Sequence, residues 1–160
     1  MTVRKLSLSD FDAIDYDLIA IHTSLEDYRL AFFLNQKLPI LLSKCPDFVE
    51  FKSINGTAFF SKFSYLTEDT NEQWTLIENK DEILAKNTAS IVTLFSEIKD
   101  EITTNVFFLP EMKKVNYFLK IENTFMRLEE IITQLNSITQ ISTAYVVDLN
   151  TIKSKNNLIF

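Results

Sequence analysis

Residues 115–148 read VNYFLKIENTFMRLEEIITQLNSITQISTAYVVD, and the change of hydrophobic period along this stretch decides the fold. VNYFLKIE is a short apolar run of strand length. From Leu128 the apolar residues Leu128, Ile131, Ile132, Leu135 and Ile138 recur at spacings of three and four, with Glu129, Glu130 and Gln134 facing outward, which is the pattern of an amphipathic helix following Asn123 and Thr124. ISTAYVVD then returns to strand composition. The segment is therefore predicted to run strand, helix, strand.

A second unit of the same kind precedes it. At an offset of 100 residues, Leu18, Ile19, Ile21, Ser24, Leu25, Tyr28, Ala31 and Phe32 match Phe118, Leu119, Ile121, Thr124, Phe125, Leu128, Ile131 and Ile132. Each set reads as a strand, a hydroxyl cap and an amphipathic helix. The first helix is expected to start at Ser24, with Asp27 completing a capping-box-like arrangement. It should end near Lys37, because Pro39 disfavours helical geometry just before it, and should bury Leu25, Tyr28, Ala31 and Phe32. Strand–helix–strand units of this kind are common in ferredoxin-like and ACT-type regulatory domains.

Between the units lies β-patterned sequence. Asn55-Gly56, which contains the single glycine, suggests a type I′ hairpin turn with arms at 48–54 and 57–66, placing Phe59, Phe63 and Tyr65 on one face. QWTLIE (73–78) should add a third strand to a meander. VRKLSL (3–8), SIVTLF (90–95) and TNVFFL (104–109) also read as strands, whereas 79–90 fits a loop or a short helix equally. IKSKNNLIF (152–160) looks like a polar link ending in an apolar plug, with Leu158, Ile159 and Phe160 placed against the domain or a partner. The expected architecture is α+β: one curved, mostly antiparallel sheet with both helices on one face and two pseudo-equivalent βα units. It is divided into a single domain over 1–151 and a tail over 152–160.

Composition agrees with a folded domain. In 160 residues, 46% are hydrophobic and 24% charged, and a chain of this size buries roughly two thirds of its unfolded surface without staples. One cysteine and one histidine are too few for the usual Cys/His zinc sites, and a lone cysteine forms no internal disulfide, which points to the cytoplasm. The start turns acidic within ten residues, unlike a signal peptide, and no apolar run approaches the ~20 residues of a membrane helix. A net charge of −6 disfavours nucleic acid, with Lys113, Lys114, Lys120, Lys153 and Lys155 as the candidates for a basic patch.

LPEMKKVNY (109–117) resembles the signature of the bacterial IPExxxVDY family, and the length, the stretch DYDLIAIHTSLEDYRLAFFLN (15–35) and the ending IKSKNNLIF are similar to that family as well. Leu109 stands where the signature has isoleucine, and Asn116 where it has aspartate. The resemblance implies no particular activity; it directs attention to Pro110, Glu111 and Tyr117. These are expected in a hairpin loop between the strands VFFL and VNYFLKIE, with Lys113 and Lys114 facing water.

The candidate chemistry is sparse. His22, the only histidine, ends a strand beside a helix start, but no Ser/His/Asp or Cys/His spacing accompanies it. Asp10, Asp12, Asp15 and Asp17 lack the glycine and distal glutamate of a calcium loop. Cys45 has no partner base, and one glycine cannot build a phosphate-binding loop. Pro110, Glu111, Tyr117, His22, Asp27, Arg29 and Phe160 are thus read as binding residues, with no catalytic set, metal or cofactor. The expected function is a non-catalytic cytoplasmic module that binds a protein partner or a second copy of itself. The alternative is a small-molecule sensor or minor enzyme with a pocket between sheet and helices.

Overall fold

The two units meet at the centre of the molecule. In a computed structural model describing residues 14–54, 56–85 and 102–160, strand β1 (Tyr16–Thr23) is followed by helix α1 (Asp27–Lys37). Five strands come next: β2 (Ser43–Lys44), β3 (Val49–Ser53), β4 (Gly56–Phe60), β5 (Lys62–Leu66) and β6 (Gln73–Glu78). After β7 (Lys80–Ala85) and β8 (Ile102–Phe107), the second unit consists of β9 (Tyr117–Glu122), helix α2 (Leu128–Asn136) and β10 (Ile141–Val146). The main sheet has the order β10-β1-β9-β6-β5-β2, and every pairing in it is antiparallel.

β1 and β6 both run antiparallel to β9, so they are parallel to each other, as β9 and β10 are on either side of β1. Two split βαβ units therefore interlock, which is the ferredoxin-like arrangement, with β2–β5 inserted in the first crossover. Ile19, Ile21, Leu119, Ile121, Trp74 and Leu76 face both helices and pack on Leu30, Leu34, Ile131 and Leu135. Leu18, Ala20, Ile77 and Phe118 point the other way, onto Ala58, Phe60, Phe108, Leu109, Ile152 and Leu158. Coverage of both faces explains why the central strands are continuous apolar runs rather than alternating ones.

The equivalence of the units extends to individual hydrogen bonds. Thr23 Oγ1 accepts from the Leu25 amide at 3.1 Å, and Thr124 Oγ1 accepts from the Met126 amide at 3.2 Å. Asn35 clamps both backbone groups of Leu42 (2.7 and 3.0 Å), as Asn136 clamps those of Ala144 (2.9 and 3.0 Å). The threonines and asparagines match at 101 residues, whereas the strand faces match at 100. The extra residue falls at Asn123, which takes a positive φ of 55° at the strand-to-helix turn.

That shift corrects the first helix. Its buried residues are Leu30, Ala31 and Leu34, while Tyr28 and Phe32 are 60% and 58% exposed. Ser24 and Thr124 are not caps either: Glu26 and Arg127 hold the N-cap positions without side-chain capping bonds, and threonine turns set the chain direction instead.

The predicted meander divides at Ser61. β4 pairs with β3 in a separate two-stranded sheet, and β5 pairs with β6 and β2. Because the chain changes sheet there, Phe60 is buried on one side of the main sheet and Phe63 on the other, and Phe59 is half exposed. Ser53 pairs with Gly56, so Gly56 is the first residue of the second arm rather than a turn residue, and Asn55 lies outside the described residues. Gly56 is needed for two reasons: its φ is +139°, and an added Cβ would come within 2.8 Å of Ile83 Cγ2.

β8 pairs with β7 rather than with β9, so the Pro110 segment is a crossover between sheets and not the expected hairpin loop. Within 79–90, residues 80–85 are strand, and the remainder, with the runs at 3–8 and 90–95 and with Asp10 and Asp12, lies outside the described residues. Among the described residues no helix is long and apolar enough to cross a membrane.

Candidate functional site

Asn79, fully buried between β6 and β7, organises the crossover. Its side chain donates to the carbonyls of Met112 (2.9 Å) and Val115 (2.8 Å) and accepts from the Leu109 amide (2.9 Å). Its amide donates to Asn116 O, and its carbonyl accepts from Phe108 N. Every donor and acceptor is used, and all five of these bonds go to the 108–116 segment. Pro110 opens a short 3-10 turn in this segment, where its missing N–H costs nothing.

From that anchor the segment reaches both neighbouring elements. The Asn116 amide donates to Ile21 O, and Asn116 Oδ1 accepts from the Thr23 amide at 2.9 Å. An aspartate at this position would offer the same acceptor. The buried Tyr117 hydroxyl donates to Leu25 O at 2.8 Å. Burial, and then the negative fields of Glu78, Asp27 and Glu26, push that phenol far above its ordinary range, so it stays a neutral donor.

A cavity of about 220 Å³ opens at this end of the strands, lined by Thr23, Leu25, Glu78, Lys80, Phe107, Lys113 and Tyr117 among others. Burial first, and then the charges of Asp27 and Asp81, raise the Glu78 carboxyl above the usual range. Asp27 behaves oppositely. Burial works to raise it, but the Ser61 hydroxyl (2.8 Å), the Tyr28 amide (2.7 Å) and Lys44 (3.4 Å) together lower it.

A second, shallower groove of about 390 Å³ runs between Pro110–Val115 and Tyr145. His22 stands behind it, with Nε2 3.1 Å from the Tyr145 hydroxyl and the two rings stacked at 5.6 Å. Its partner is thus a phenol, which makes no base–nucleophile pair. Glu111 is committed to the tail: its carboxylate accepts from the Ser154 amide (2.7 Å) and hydroxyl (3.0 Å). Burial opposes and these bonds outweigh it, holding the Glu111 carboxyl below its ordinary value.

Phe160 belongs to a third place, where its ring lies 5.1 Å from Lys120 Nζ, 5.5 Å from Lys62 Nζ and 6.1 Å from the Phe108 ring. Lys120, read from sequence as surface, is 8% exposed and donates to Leu158 O at 2.9 Å, which removes it from any basic patch. Asn157 donates to Phe108 O, and Leu158 is fully buried. Arg29 is exposed on α1 and lines neither cavity.

The seven candidates therefore divide. Tyr117 lines the first cavity, which Asp27 reaches only through its field on Glu78 and Tyr117; Pro110 and Glu111 line the second, with His22 behind it; and Phe160 and Arg29 stand apart. Sequence reasoning missed Glu78 and Asn79; two polar residues closing the QWTLI strand were the available signal. Among the described residues no three His, Cys, Asp or Glu side chains converge as metal ligands. Comparison with family models, with curated proteins and with solved structures returned no match.

Proposed function

We propose that this chain is a non-catalytic, cytoplasmic binding or regulatory module that recognises a protein partner, a second copy of itself included. The observation that carries this reading is the aromatic surface left in solvent. Phe48 and Phe59 pack edge to face at 6.4 Å on the β3–β4 hairpin, yet each stays half exposed, and Tyr28 and Phe32 stand outward one turn apart on α1. Exposed aromatic side chains at rigid positions are the usual anchors of protein interfaces. The hairpin is held in place by the Phe59 amide, which donates to Asp81 at 2.8 Å.

Membership in the IPExxxVDY family forms part of the same proposal. It is supported by the structural role of each signature position: Leu109, Val115 and Tyr117 are buried, Pro110 starts the turn, Glu111 holds the tail and residue 116 holds Thr23. Affinity capture from the native host with wild-type chain and a Phe48→Ser/Phe59→Ser variant tests the binding reading. A stoichiometric partner, or self-association by light scattering, should be present for wild type and lost in the variant. Equal behaviour of the two proteins would argue against it. The small-molecule alternative is favoured by the cavity beside Glu78.

A further inference from the structure

We infer that the cavity at the β1–α1 turn binds a small zwitterion, taking its ammonium on the Glu78 carboxylate and its anionic end on the Lys113 ammonium. The volume selects a small ligand, since about 220 Å³ lies below the ~300–1,000 Å³ of sites for drug-sized molecules. Register fixes the polarity. Glu78 pairs with Tyr117, whose hydroxyl lies in the fields of Glu78, Asp27 and Glu26, so this side of the cavity is acidic. Lys80 pairs with Phe107, and Lys113 Nζ sits over that ring at 5.8 Å, so the other side is basic with an apolar floor.

Two groups are left for a ligand. Glu78 is half-buried, and its carboxylate has no hydrogen bond and no cation within ion-pair distance among the described residues. Lys113 likewise has no carboxylate partner there, whereas Lys80 is already paired with Glu82 at 3.3 Å. Lys44 and Lys80 reach Glu78 through their fields but close no ion pair with it, so burial still raises its carboxyl, and an ammonium ion in the cavity relieves it. The rest of the lining is rigid, because the Tyr117 hydroxyl and Asn116 amide oxygen are already bonded to the β1–α1 turn. The site is therefore built before the ligand arrives.

Isothermal titration calorimetry of the full chain tests this with glycine, β-alanine and L-serine, and with ethylamine and propionate as the singly charged halves. At least one zwitterion should saturate with Kd on the order of 1 mM, and the halves should bind about tenfold more weakly or worse. Glu78→Gln and Lys113→Met should each lower affinity about tenfold with circular dichroism unchanged, the loss of one charge-assisted contact. Lys113 is exposed, so K113M reports on the site even if E78Q disturbs the fold. Absence of saturable heat from all three zwitterions at ~10 mM, binding of either half equal to that of the zwitterions, or wild-type affinity in K113M overturns the proposal.

Discussion

β1–α1 and β9–α2 share a skeleton and differ in what they carry on it. Both turn from strand to helix through a threonine, bury residues at the same two helical positions (Leu30 and Leu34, Ile131 and Leu135), and clamp the following segment with asparagine. The first unit adds outward aromatics on its helix, Tyr28 and Phe32, where α2 has none, and at its helix start Asp27 binds Lys44 and Ser61. At the corresponding place the second has Leu128, preceded by Arg127, which pairs with Glu130 on an exposed turn at 2.8 Å. What the units have in common holds the sheet together, and what they do not share marks the candidate surfaces.

The largest effects belong to the core that the two units share. Leu34→Ala and Leu135→Ala remove fully buried side chains from equivalent positions and should each cost about 2–5 kcal/mol in urea unfolding. Values differing by more than ~2 kcal/mol would show that the halves are not mechanically equivalent. Asn35→Ala and Asn136→Ala come next, each leaving an amide and a carbonyl without a protein partner at a part-buried site. About 1–2 kcal/mol is expected for each.

A smaller effect should separate the units by pH. Asp27 titrates below its ordinary value of 3.8 in the fold, so its charged form contributes stability above that pH. The contribution is lost as pH falls through the lowered folded value. Asp27→Asn should cost about 1 kcal/mol at pH 7 and progressively less in acid, read from urea midpoints across pH 2–7. Leu128 offers no such titration. Glu78 has the opposite sign: its raised carboxyl favours the fold below its ordinary value of 4.5 and loses that advantage as pH rises, so Glu78→Gln should not destabilise at pH 7. The smallest effect belongs to Phe32→Ser on the exposed face of α1, within about 0.5 kcal/mol.

These contrasts also explain which parts of the fold were readable. LIAI and FLKI announce strands because both faces of the sheet are covered, and α2 is legible because its outward positions are charged or polar. α1 misleads for the reason that makes it interesting: Tyr28 and Phe32 are apolar yet outward, so the apolar pattern shifts away from Leu30 and Leu34. Tyr117 and Asp27 were recognisable beside strand and helix ends. Glu78, Asn79 and the buried Lys120 were not, because their roles come from segments 30 to 40 positions away that no local period encodes.

The pairing of β1 sets a timetable for the molecule. Its two sheet neighbours are β9 and β10, with Ile19 opposite Leu119 on one side and Val146 on the other. At a synthesis rate of roughly 5–20 residues per second, an apolar strand waiting for partners about a hundred residues downstream spends some 5–20 s unpaired. During that interval LIAI is an open invitation to other chains. Expression temperature and chaperone supply should therefore govern the yield of this protein more than its equilibrium stability does.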